Sequence, residues 1–228
     1  MCPCSVSVDG TGMSGFPKIT GIVLAAGKGS RMGRTKQLLP FRGRTILECV
    51  VESALASSLE RVVVVLGHQA DILEPLLKGK NVTVVCNPLY DSGQSSSLKA
   101  GLQSVADDTD AVLFLLGDQP LVTPNIIDLI LSAYATSPSP VVLPEFAGKR
   151  GNPVLFSQET FPRIHALNGD CGARPLFNEY AGRILRVPVA DPAIQLDIDS
   201  EEDYRRLLEW EQIAKEPGKN SLNKYRSP

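Results

Sequence analysis

Hydrophobic and polar positions along the chain alternate between two kinds of run. Beside a strand expected at Val82–Cys86, short and mostly apolar stretches at Ile22–Ala26, Arg61–Leu66 (RVVVVL) and Ala111–Leu116 (AVLFLL) lack the every-second-residue alternation of a half-exposed strand. Runs of that length and β-branched content read as strands buried on both faces. Between them the apolar positions return at helical spacing. Thr45-Ile46-Leu47-Glu48 has the form of a capping box. It opens a stripe of Ile46, Leu47, Val50, Val51, Ala54 and Leu55. Further helices are expected at 70–77, 96–105 and, from the Thr123 cap and Pro124, at 124–135. A strand at Val141–Leu143 completes a βαβα rhythm over residues 21–143. The last third predicts strands at 154–156, 184–189 and 195–198, and helices at 158–166, 172–180 and 200–211.

Such a rhythm predicts an α/β fold in which a mostly parallel sheet is covered by helices on both faces, a three-layer α/β/α arrangement. Ligands then bind at the carboxyl ends of the strands, near the point where strand order reverses. Four loops fall there: Gly27–Lys36, Gly67–Gln69, Asn87–Gln94 and Gly117–Pro120. Residues 1–17 read as a disordered lead-in, 18–213 as one domain, and 214–228 as a loose tail.

Composition narrows the function. The 228 residues are 43% hydrophobic and carry a formal net charge of −2, so there is no overall field to draw nucleic acid or an anionic membrane. No apolar run reaches the roughly 20 residues of a membrane span. The first residues lack the basic and apolar regions of a secretory signal, which points to the cytoplasm. Five scattered cysteines do not form a disulfide framework. Cys2 and Cys4 read as part of a frayed tail, and Cys171 as a thiol without an adjacent base.

The charge is instead patterned locally. From Gly21 to Leu47 there is no Asp or Glu, while Lys28, Arg31, Arg34, Lys36, Arg42 and Arg44 all lie there. The Gly27–Lys36 loop matches neither the P-loop G-x-x-x-x-G-K-[ST] nor the dinucleotide G-x-G-x-x-G. P-loop hydrolysis and hydride transfer are therefore disfavoured. Gly27 and Gly29 allow close backbone approach to a ligand, and Arg31 and Lys36 bring fixed positive charge, as a triphosphate requires. Asp118, directly after the buried strand AVLFLLG, is placed to hold a hard cation against phosphate oxygens, although a turn aspartate is the plainer alternative. Asp197 and Asp199, alternating along an expected strand, share a face, and either fits a second metal contact or, for Asp199, a helix cap.

LAAG-KGSRMG-RTK, at Leu24–Lys36, resembles the signature loop of nucleotidyltransferases with a Rossmann-like core. It is most similar to that of the molybdenum cofactor cytidylyltransferases, LAAG-x-S-x-RMG-x-x-K. The resemblance extends over about residues 20–210, through NPLYDSGQSSSLKAGL (87–102), GDQP (117–120), RGNPVLF (150–156), NGDCGAR (168–174) and DIDSEEDY (197–204). Gly29-Ser30 stands where a Ser-x pair is usual, and Ser200-Glu201 where the family often has Thr-Pro. The resemblance implies transfer of CMP from CTP to the molybdopterin cofactor phosphate, with Mg²⁺, or Mn²⁺ in its place, on Asp118 and on Asp197 or Asp199. It implies a base seated against Leu24, Ala25 and Ala26 and contacted by Ser97, unless Ser92–Ser97 is only a helix cap. Ala26 stands where guanylyltransferase relatives have glycine, which favours cytidine. Asn152, Asp170 and Arg174 would face the acceptor; a helix cap at Asp170 and a surface ion pair at Arg174 are the alternatives. Guanylyl transfer, nucleotidyl transfer to a sugar or alditol phosphate, and a non-enzymatic carrier delivering the cofactor to a molybdenum hydroxylase are the competing functions. The implied partners are CTP, the cofactor, and a molybdenum hydroxylase or its accessory protein.

Overall fold

The computed structural model describes residues 15–29 and 32–215. The expectations for Cys2, Cys4, Arg31, most of the lead-in and nearly all of the tail lie outside these residues. The strands are β1 (Ile19–Ala25), β2 (Pro40–Phe41), β3 (Arg44–Thr45), β4 (Arg61–Leu66), β5 (Thr83–Cys86), β6 (Ala111–Leu116), β7 (Val141–Phe146), β8 (Lys149–Arg150), β9 (Val154–Ser157) and β10 (Ile184–Pro188). The α-helices are α1 (Ile46–Leu55), α2 (Ala70–Leu73), α3 (Gln94–Gln103), α4 (Pro124–Thr136), α5 (Phe161–Ala166), α6 (Arg174–Glu179) and α7 (Glu201–Lys215).

The main sheet runs β10-β7-β9-β6-β1-β4-β5, with β8 paired to β7. β1, β4, β5 and β6 are parallel, and β9 is antiparallel to both its neighbours. From β1 the chain winds outward through β4 to β5, then crosses to β6 on the other side of β1. Strand order reverses between β1 and β6, so the crevice at their carboxyl ends is where a ligand belongs.

The apolar runs of β1, β4 and β6 are buried on both faces because alternate residues serve two cores, whereas the edge strand β5 leaves Thr83 and Cys86 exposed. Val62, Val64 and Leu66 of β4 pack in the cluster that holds Leu47, Val50 and Val51 of α1 and Ile127 and Ile130 of α4. Val63 and Val65 pack in the opposite cluster, with Leu98 and Leu102 of α3 and Leu176 of α6. These are the three layers read from the sequence. The capping box at Thr45 is present, with Glu48 N–H donating to the Thr45 hydroxyl and the Glu48 carboxylate accepting from Thr45 N–H at 2.9 Å.

The departures have local causes. The helix expected at 70–77 becomes a 3-10 turn at Glu74–Leu77, which contains Pro75. A 3-10 turn at Gln158–Thr160 precedes α5, which has Pro162 in its first turn, and α6 has Pro175 there. Proline lacks the N–H a longer helix would need. The β2–β3 hairpin is too short to show a period. The strand expected at 195–198 is absent. Its place is taken by a 3-10 turn, Pro192–Gln195, capped by Asp191, and a segment held to the loop after β6 by Ile198 N–H on Asp118 O at 3.2 Å.

Candidate active site

A cleft of about 880 Å³ opens at the carboxyl ends of β1 and β6. It brings together Leu24, Ala26, Gly27, Gly29, Lys36, Ser97, Asp118, Asn152, Asp170, Arg174, Asp197 and Asp199. Two expected residues are not among them. Ala25 is fully buried with its side chain in the core on the α1 face, because alternation along β1 sends Leu24 and Ala26 to the cleft and Ala25 away from it. Arg31 lies outside the described residues. The loop Gly67–Gln69 does not line the cleft either. Thr35 donates a hydrogen bond to Gln69 there, and His68 packs 6.1 Å from the Tyr90 ring.

The glycine-rich loop leads to Lys36 by a turn that only glycine fits. Gly29 has φ +59°, and a Cβ there would sit 2.9 Å from Arg34 O and 3.3 Å from Lys36 Cγ. Lys36 then starts a 3-10 turn pinned by buried Gln37, Leu39 and Phe41. On the facing strand, Gly117 N–H donates to Leu24 O at 2.9 Å, and a Cβ at Gly117 would stand equally close to that oxygen. This close approach brings Asp118 beside β1.

Lys36 Nζ lies 3.0 Å from Asp118 Oδ2 and 2.5 Å from Asp199 Oδ1, bridging the two acids. Asp199 does not cap α7. Ser200 does so: Asp203 N–H donates to the Ser200 hydroxyl, and Asp203 Oδ2 accepts from Ser200 N–H at 2.9 Å. Asp197 turns aside and accepts from the Gln119 side-chain amide. The strand that put Asp197 and Asp199 on one face is absent, yet both line the cleft. Among the described residues, Asp199 meets Asp118 on a shared cation, the Lys36 ammonium.

Burial opposes the charge on Lys36, and the carboxylates of Asp118 and Asp199 outweigh it, so its pKa is raised. Asp197 opens to the cleft, but desolvation by the surrounding walls and the charges of Asp118 and Asp199 push its pKa up to about 6, against the Gln119 N–H and Lys36. Among the described residues no three His, Cys, Asp or Glu side chains form a ready-made metal cage. Asp118 and Asp199 are nonetheless hard oxygen donors already converged on a cation. That suits a divalent ion which completes its shell with phosphate oxygens and water, as Mg²⁺ usually does.

Several of the basic side chains between Gly21 and Leu47 are paired with acids. Lys28 pairs with Asp91 at 2.7 Å and lies over the Tyr90 ring. Arg34 pairs with Glu201 at 2.7 Å and lies over Tyr204. Arg44 pairs with Glu52 at 2.8 Å. The acids missing from the segment arrive from elsewhere in the fold, which a linear charge pattern does not reveal.

Ser97 is buried within α3, which starts at Gln94, three residues before it, so it is not a cap. The cap of α3 comes from Asp170, whose Oδ1 accepts Gln94 N–H at 3.1 Å across the cleft rim. Arg174 is exposed on the cleft and makes no ion pair among the described residues. Asn152 is fixed by its N–H on Ile194 O at 2.8 Å. The far wall is aromatic, which the sequence reading did not anticipate. Phe114, Phe156 and Phe177 lie 5.9 and 6.3 Å apart in succession, and the Arg150 guanidinium covers Phe177 at 4.3 Å. Arg150 reaches it from the short β7–β8 hairpin. Cys171 does not line the cleft; its thiol donates to Asn168 O at 3.2 Å.

Among the described residues no helix is long and apolar enough to cross a membrane. The chain is 32% identical to nicotine blue oxidoreductase of Paenarthrobacter nicotinovorans, over 86% of this chain and all of that one. It is 32% identical to the purine catabolism protein PucB of Bacillus subtilis, covering 82% and 95%. It is 29% identical to the molybdenum cofactor cytidylyltransferase of Escherichia coli, covering 80% and 92%. In structure it resembles Rv0371c of Mycobacterium tuberculosis, with a TM-score of 0.77 and 30% identity over 86% of this chain and all of that one. A manganese complex of the same protein superposes with a TM-score of 0.73 and 31% identity over 84% and 98%. Residues 21–184 match the MobA-like NTP transferase domain, and with this match and its Rossmann-like sheet the chain belongs to that family.

Proposed function

We propose that this chain transfers CMP from CTP to the terminal phosphate of the molybdopterin cofactor and releases pyrophosphate. One observation carries the reading: Lys36, delivered by the glycine-rich loop, sits on Asp118 and Asp199 at the strand-order switch point. That arrangement supports a reading in which positive charge and divalent-ion ligands meet an entering triphosphate. A phosphate oxygen of the acceptor attacks the α-phosphorus in line, and the bond to the β-phosphate oxygen breaks. The acceptor is already an anionic nucleophile, so catalysis is positioning and charge neutralisation. Lys36 turns from its carboxylates to the β- and γ-phosphates and stabilises the leaving pyrophosphate. Asp118 and Asp199 hold Mg²⁺ or Mn²⁺, which, when bound, neutralises charge on the phosphate oxygens.

The choice of CTP is supported by Ala26 in LAAG, and by similarity to a cytidylyltransferase along nearly its whole length. The choice of acceptor is supported by the aromatic wall. The exposed Arg150 guanidinium, backed by Phe177, offers a planar face for stacking to a planar heterocycle, which a sugar or alditol would use poorly. Arg174 supplies an unspent guanidinium for the acceptor phosphate, beside Asn152 and Asp170. The product would pass to a molybdenum hydroxylase or its accessory protein. Incubation with CTP labelled at its α-phosphate, Mg²⁺ and molybdopterin should move the label to the acceptor. Tight cofactor binding with no label transferred would instead support a carrier.

A further inference from the structure

The first turn of α3 contains a hydrogen-bond relay whose direction is fixed. Leu89 N–H can only donate, and it donates to Asn87 Oδ1 at 3.0 Å. The Asn87 amide nitrogen therefore faces the serines, donating to Ser96 Oγ at 2.8 Å and to Ser97 Oγ at 3.0 Å. Asn87 is itself 4% exposed, and its N–H is held by Leu66 O at 2.8 Å, at the end of β4. Ser96 passes its proton to the Leu89 or Gly93 carbonyl, each at 2.9 Å. Ser97 accepts from Asn87, and among the described residues nothing accepts the Ser97 proton in turn. Ser97 is 6% exposed, and it lines the cleft with Leu24, Ala26 and Gly27. A hydroxyl so placed is satisfied only by an acceptor on whatever fills the cleft.

We propose that Asn87 is a specificity-determining positioning residue: it locks Ser97 as a donor toward the cleft, so that the site takes a base with an acceptor there, the O2 carbonyl of a pyrimidine, and rejects the amino group of guanine. This rests on the nucleotidyltransferase reading above. Asn87 touches no substrate and acts through Ser97. Asparagine is needed because it combines an acceptor for Leu89 N–H with two donors for the serines in one planar group.

The test is the near-isosteric Asn87→Asp. It keeps the acceptor for Leu89 N–H but removes both donors, so Ser97 must give its proton to the introduced carboxylate and turn lone pairs to the cleft. Affinities of CTP, UTP and GTP are measured by titration calorimetry at pH 8 for wild type, Asn87→Asp, Ser97→Ala and the double variant. Wild type should prefer the pyrimidines. Ser97→Ala should weaken CTP and UTP by about tenfold, the size of one lost hydrogen bond, and should not weaken GTP, because the donor that opposes its amino group is gone. Asn87→Asp should weaken CTP by at least as much. The double variant should be no weaker than Ser97→Ala, since the effect runs through Ser97. A folded Asn87→Asp protein with the wild-type CTP-to-GTP ratio, or losses that add in the double variant, would overturn the inference. If Asn87→Asp does not fold, Asn87→Ala frees the Ser97 hydroxyl to rotate and should still lower the CTP-to-GTP ratio several-fold; an unchanged ratio again overturns it. Wild type that prefers GTP overturns it while leaving a nucleotidyltransferase intact. Wild type that binds no nucleotide overturns both.

Discussion

Lys36→Met removes one charge and nearly preserves volume, and its consequences can be worked from the geometry. The ammonium bridges Asp118 at 3.0 Å and Asp199 at 2.5 Å, with side chains 12%, 21% and 45% exposed respectively. Breaking a fully buried pair costs about 3–5 kcal/mol, and an exposed pair contributes about 0.2–1 kcal/mol. A pair partly open to water falls between, at about 1–2 kcal/mol. For a chain of this size that lowers Tm by roughly 2–8 °C. The rate should fall further than the stability, by about 10²–10³ in kcat, the size of one lost transition-state stabiliser. Metal binding should move the other way. With the ammonium gone, the Asp118 and Asp199 carboxylates lose the positive charge of Lys36 between them, and Mn²⁺ without nucleotide should bind more tightly than to wild type. Calorimetry, thermal melts and Mn²⁺ electron paramagnetic resonance read the three effects separately. A wild-type kcat, or weaker Mn²⁺ binding, would refute the reasoning that Lys36 both serves the phosphates and holds the cation's place.

Asp118→Ala should also lower the rate by about 10²–10³, but with Mn²⁺ affinity reduced, as equilibrium binding would show. Asp197 has its folded-state pKa raised to about 6 by desolvation and the neighbouring carboxylates. Its contribution to stability is therefore complete below the unfolded pKa and is lost as pH rises through about 6. Asp197→Asn should melt higher than wild type at pH 7.5, and the difference should shrink toward pH 4. Gly117→Ala drives a Cβ to 2.9 Å from Leu24 O and should cost about 1–3 kcal/mol in denaturant unfolding, because the obstacle is backbone. Ser200→Ala removes the cap of α7 and should cost about 1 kcal/mol in the same assay.

The sheet and its ligand-facing loops were legible because continuous apolar runs and capped helical stripes are local signals. RVVVVL and AVLFLL became β4 and β6, and the Thr45 and Thr123 caps are in place. Of the candidate site, Lys36 was named from the basic glycine-rich loop and Asp118 from the end of a buried apolar run, and the structure brings the two within 3.0 Å. What could not be read depended on distant partners. Nothing near Arg34 shows that Glu201 will neutralise it, and nothing near Asp170 shows that it will cap α3. Asn87 lay inside a recognised motif, yet the direction of its amide is fixed only by Leu89 N–H in the folded chain. The aromatic wall needs Phe114, Phe156 and Phe177 from three elements of different register, and no period connects them.

The central claim is the reaction itself, and pyrophosphate release is its most direct reporter. The protein should be mixed with Mg²⁺ and molybdopterin and offered CTP, GTP, UTP and ATP in turn. Pyrophosphate should appear with CTP, should require the acceptor, and should fall to near background with GTP and ATP. No release from any of the four nucleotides, with the cofactor bound, would contradict a nucleotidyl transfer at this site.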